Sequence, residues 1–197
     1  MAESIQFKFH PEKAVQAAAL LLKLHKNISG QETMKYLGLL KMLYIADRVA
    51  LERMDQPITG DRYYSMRYGP VLSGVYDLIK GNSVDNALPL WSKYISPRRG
   101  YKNCYISLLL DPGDEELCEE EEDVIREVYA KLGHLNPFDV AEWTHFLPEW
   151  QQPDPINSRV KIEVDKLLEY LHKSKEEIDF IRQEALREAY LDEVLND

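Results

Sequence analysis

The chain has 197 residues and a mass of 23.0 kDa, with 45% hydrophobic and 29% charged residues; that is the balance of one globular domain, or of one domain with an appended segment. No apolar run approaches the ~18 residues needed to cross a bilayer, because Lys23, Lys41, Asp47 and Arg48 interrupt the longest ones, and residues 1–10 lack the pattern of a signal peptide. The expectation is a soluble cytoplasmic protein whose two cysteines, Cys104 and Cys118, stay reduced and have neither disulfide-framework nor zinc spacing.

Residues 11–28 read as a helix, with Pro11 and Glu12 suited to its first turn and Val15, Ala18, Ala19 and Leu22 along one stripe. Residues 33–54 form a longer helix, apolar on most sides, which marks it as the central one. Residues 61–68 alternate in the manner of a strand, with Tyr64, Met66 and Tyr68 on one face. Gly69-Pro70 is expected to break that strand and to start a helix over 71–80. A loop with Pro89 and Pro97 follows, then a second strand over 104–110 that pairs with the first in a small sheet. Helices are expected over 119–132, 138–147, 161–172 and 174–194, the last opened by a Ser174/Glu177 capping box. The fold class is therefore mainly α (α+β): a helical domain over 1–150 with a small antiparallel sheet, a Pro-containing linker over 151–160, and a helical extension over 161–197.

The net charge of −10 is unevenly spread. Residues 1–110 carry fifteen Lys/Arg and nine Asp/Glu, whereas 111–123 carry nine acids and no base. A pI near 5.0 argues against duplex nucleic acid as the main partner. The cluster Lys93, Arg98, Arg99 and Lys102 is the one basic site that keeps a regulatory nucleic-acid role open.

Phosphate-binding glycine loops, a GxSxG elbow and an HExxH motif are all absent, so no cofactor, metal or catalytic residue is assigned. Asp47 stands inside the apolar helix, with Leu43, Tyr44 and Leu51 as helical neighbours. A carboxylate there has to be hydrogen-bonded or paired, which makes it an internal polar anchor to the strand segment or to Thr144 and His145. The turn-rich stretch from Pro57 to Tyr63 and the strand after it hold the candidate partner-binding residues: Thr59, Asp61, Arg62, Tyr64, Arg67 and Tyr68. Arg and Tyr are favoured at interface hot spots because they combine contact area with hydrogen bonding.

Lys41-Met-Leu-Tyr-Ile-Ala-Asp-Arg48, Pro57-Ile-Thr-Gly-Asp-Arg-Tyr63, Met66-Arg-Tyr-Gly-Pro-Val71 and Tyr76-Asp-Leu-Ile79 follow one another in that order. As a set they resemble the Panacea domain, the SocA-like antitoxin domain of bacteria and phages. Trp143-Thr-His145 and Pro148-Glu-Trp150 are similar to that family's closing elements, with Glu149 intervening between the Pro and the Trp. The resemblance spans about residues 12–150. It implies a mostly helical domain with a small sheet, acting as the antitoxin of a two-gene system. Such domains neutralise a toxin encoded next to them by direct protein contact, and one branch delivers its toxin to a protease. The expected partner is that toxin, with the chain as a homodimer or in a hetero-oligomer with the toxin. Alternatives are a proteolytic adaptor and an enzyme that reverses the toxin's modification with Asp47 and His145. The 161–197 segment, outside the shared motifs, is a second candidate docking element.

Overall fold

A computed structural model describes residues 4–196, except the Asn103 and Asn196 side chains; residues 1–3 of the N-terminal segment and Asp197 of the extension lie outside the described residues. The first helix, α1 (Pro11–Ser29), opens with Pro11 and closes on Gly30, whose left-handed backbone (φ +74°) lets its N–H reach the Lys26 carbonyl at 2.9 Å. A two-residue strand, β1 (Met34–Lys35), leads into α2 (Tyr36–Met54). Leu39, Leu40, Leu43, Tyr44, Ala46, Ala50 and Leu51 are all buried, so α2 is covered nearly all round. It is the helix against which the others assemble: α1 and the later α3, α5 and α6 all touch it.

The chain then forms a hairpin of β2 (Tyr63–Met66) and β3 (Gly69–Leu72), with Tyr63 opposite Leu72 and Met66 opposite Gly69. Pro70 sits in β3 opposite Ser65, where the expected break falls. β3 is an edge strand, and there a residue without an N–H is tolerated. The next helix, α3 (Ser73–Lys80), therefore starts two residues later than the sequence implies. Within the expected loop lies α4 (Leu88–Tyr94), which begins at Leu88-Pro89 and buries Trp91. β4 (Tyr105–Ile106) is shorter than the 104–110 strand expected, and it pairs with β1, not with β2. The far edge of β2 is taken instead by β5 (Val160–Lys161), giving the order β3-β2-β5.

Between these strands lie α5 (Glu119–Leu132), with four glutamates at its positive end, and α6 (Pro137–Thr144), capped by Asn136 through the Phe138 N–H at 3.0 Å. The chain ends in α7 (Val164–Tyr170) and α8 (Lys175–Asn196). The Ser174/Glu177 capping box forms, at 2.6 and 3.2 Å. Residues from Ile162 to Ala185 contribute to the same core as the rest. Leu167 and Leu168 are fully buried, each worth about 1.5–3 kcal/mol, and Ile178, Ile181 and Ala185 of α8 join them. The distal half of α8 instead exposes Leu186, Tyr190, Leu191, Val194 and Leu195. The molecule is mainly helical with two small antiparallel sheets, and no helix among the described residues is long and apolar enough to cross a membrane.

Candidate functional site

Asp47 is fully buried on α2 and accepts three hydrogen bonds from the segment that leads into the hairpin. Thr59 donates its N–H at 3.0 Å and its hydroxyl at 2.6 Å, and the Tyr63 hydroxyl donates at 3.3 Å. Burial pushes the Asp47 carboxyl up to about 7, and the Thr59 and Tyr63 donors work against that rise. Asp61, also buried, accepts the Gly74 and Val75 N–H groups at 2.8 Å each, so it caps α3 from outside the helix. Behind this lies an ion pair whose carboxylate is buried. Arg48 Nε donates to Glu149 at 2.7 Å, the Tyr44 hydroxyl donates to the same carboxylate oxygen at 2.8 Å, and the Tyr44 ring meets Tyr63 edge-on at 5.7 Å.

These groups fix the base of the hairpin, and another set fixes its tip. Lys41 is completely buried; its ammonium donates to the Pro70 carbonyl at 2.7 Å, and burial holds its pKa down at about 7. The Thr144 hydroxyl donates to the Ala141 carbonyl at 2.6 Å and lies against Gly69, where a Cβ would collide with it and with Lys41 Nζ. Gly69 also has φ +90°, so two independent constraints select glycine. Trp150 Nε1 donates to the Met66 carbonyl at 3.1 Å and the Gln151 N–H to Ser65 Oγ at 3.0 Å. His145 stacks on Trp150 at 4.1 Å, and burial together with the Lys41 charge lowers its pKa.

Held in this way, the tip presents Arg67 and Tyr68 to solvent. Tyr68 is 48% exposed and meets the 53%-exposed ring of Phe138 edge-on at 6.2 Å. The Arg67 guanidinium lies 5.3 Å from the Tyr68 ring centre, and Lys35 Nζ lies 5.6 Å from that of Phe138. Trp143 on α6 and the 83%-exposed Phe146 in the turn after it are exposed as well. Exposed aromatics backed by cations have hot-spot composition, and residues held on a braced hairpin lose little entropy on binding.

The expected residues thus separate. Arg62, Arg67 and Tyr68 are exposed; Arg62 sits at a cavity of about 570 Å³ that Lys8 and Lys161 also line. Tyr64 is half-buried, with the Arg159 guanidinium 4.9 Å from its ring centre. Thr59 and Asp61 lie inside the fold, contrary to the expectation of a partner contact, because their polar atoms serve Asp47 and α3. Asp47 anchors the chain to Thr59, while Thr144 and His145 serve the hairpin tip. No hydrogen bond joins the two groups among the described residues. No group of three or more His, Cys, Asp or Glu among the described residues is arranged to hold a metal ion.

The model of the antitoxin SocA-like, Panacea domain family matches residues 39–151, more than half of the chain. The chain belongs to this family. No curated protein and no solved structure gives a significant match. In this Panacea domain the residues that carry the resemblance are largely internal: Lys41, Tyr44, Asp47, Thr59, Asp61, Tyr63 and Gly69 are all buried. Arg62, Arg67, Tyr68 and Trp143 are among the residues of the set that reach the surface. Glu149, the residue intervening between Pro148 and Trp150, closes the Arg48–Tyr44 network. Its signal in the sequence is an acid flanked by the Leu147 and Trp150 apolar positions. Phe138, the ring that completes the exposed face, follows Asn136-Pro137 as the second residue of a short helix, and nothing in its spacing marks it as exposed.

Proposed function

We propose that this chain is an antitoxin that neutralises a toxin protein by direct binding, using the face formed by Arg67, Tyr68 and Phe138 together with the exposed rings of Trp143 and Phe146. The observation that carries this reading is the contrast between the braced interior and this exposed aromatic and cationic face. Leaving such side chains in water costs solubility and gains nothing for folding, so a partner surface is the physical reason to keep them there. Binding alone suffices for neutralisation if it covers the toxin's working surface. Asp47 and His145, the pair an enzymatic reading needs, have separate structural duties, which favours a stoichiometric binder. The test is growth of cells expressing the adjacent toxin gene with graded amounts of this chain. Rescue that requires roughly matching amounts, with co-purification of the two proteins, supports blocking. Rescue at trace amounts contradicts it.

A second reading, a proteolytic adaptor, draws on the exposed apolar side chains of distal α8, which offer a separate docking element. It predicts a shortened toxin half-life that protease-deficient cells restore.

A further inference from the structure

A groove of about 560 Å³ lies beside the aromatic face, between the C-terminal ends of α1 and α5, strand β1 and the start of α6. That volume falls within the ~300–1,000 Å³ of small-ligand and side-chain pockets. Its floor is largely apolar, with Met34, Gly38, Met42 and Pro137. Its rim carries Ile28, 68% exposed, and the exposed Leu135. Lys35 both lines the groove and reaches the Phe138 ring, so the groove is continuous with the face assigned to the toxin.

The charge of this groove is unlike that of the molecule. The chain has 34 acidic residues, yet no Asp or Glu lines the groove. The groups there that can carry positive charge are Lys35, His25 and His134. Lys35 has no ion-pair partner among the described residues, whereas Lys8, Lys13, Lys23, Lys26 and Lys173 each have one. An apolar trough with an uncompensated cation at its mouth suits apolar side chains flanked by carboxylates, and it repels a basic segment.

We propose that this groove receives an acidic amphipathic segment of the toxin, and this rests on the toxin-binding reading above. A second copy of the chain is the rival occupant, since distal α8 is itself acidic and apolar. Two copies each of net charge −10 repel, however, and the Glu188 and Asp192 carboxylates of α8 are already engaged by His10 and Lys8 of their own chain.

The experiment uses the full chain with a toxin that the wild-type protein neutralises. Benzoylphenylalanine at Ile28 crosslinks whatever occupies the groove, and Lys35→Glu is titrated against the toxin in parallel, with thermal melts to confirm folding. A crosslink to a toxin segment rich in Asp/Glu and large apolar residues, with about ten-fold or greater weakening by Lys35→Glu, is the expected result. A crosslink to a basic segment, to a second copy, or to nothing overturns the proposal, as does unchanged affinity of Lys35→Glu. Failure of the wild-type chain to bind any toxin is a different outcome: it removes the antitoxin reading itself.

Discussion

Asp47 ties the central helix to the hairpin through three donors, and none of them donates another hydrogen bond among the described residues. Asp47→Ala leaves the Thr59 N–H, the Thr59 hydroxyl and the Tyr63 hydroxyl buried and unpaired. A loss of about 3 kcal/mol or more is expected in urea unfolding. Its carboxyl titrates near 7 in the fold against 3.8 when free, so the folded state binds the extra proton between those values. That contribution to stability is complete below 3.8 and is lost as pH rises through about 7. Lys41 acts in the opposite sense. Its folded value near 7 lies below the free 10.5, so in that window the unfolded chain binds the extra proton and stability rises with pH. The Lys41→Met variant is expected to lose this alkaline gain and to be as stable as wild type, or more so, at the acid end; melting temperatures across the window decide it. Asp47 was legible because a carboxylate within an apolar helix demands a partner. Lys41 sits in the same helix, and nothing in the sequence marks it as buried, because a long lysine stem ordinarily carries its amine out to water.

At the scale of elements, the hairpin and the last helix make the sharpest contrast. Gly69→Ala places a side chain at φ +90° and against Thr144 and Lys41, and a cost of about 2–4 kcal/mol is expected by urea unfolding. In α8, deletion of residues 187–196 removes exposed side chains and the ion pairs to Lys8 and His10, so the melting temperature should barely move. Deletion from Lys175 onward also removes Ile178, Ile181 and Ala185 and should destabilise the whole core. Most helices were readable from their 3.6-residue period and their caps. The Leu88–Tyr94 helix was not, because seven residues beginning at Leu-Pro make fewer than two turns, too few for an apolar stripe to repeat. The strand pairing is illegible in the sequence for a related reason. A two-residue strand such as Tyr105–Ile106 has no alternation to read, and the true partners of Tyr63–Met66 lie six residues and almost a hundred residues away.

For the molecule as a whole, the family signature and the exposed face divide the work. The signature residues close a polar network beneath the hairpin, and the hairpin with α6 offers rings and cations to solvent. The fold class was legible because it depends on burial patterns that recur along the chain. The face was legible only at Arg67 and Tyr68, since Phe138 joins them through the packing of α6 on β3, a contact between distant segments. The central claim is that this face, and not the buried signature, touches the toxin. The most direct measurement is the binding of the Tyr68→Ala/Phe138→Ala double variant to the toxin, alongside its urea unfolding. Stability within about 1 kcal/mol of wild type and binding weakened by about a hundred-fold or more are expected. Wild-type affinity in a normally folded double variant would contradict it.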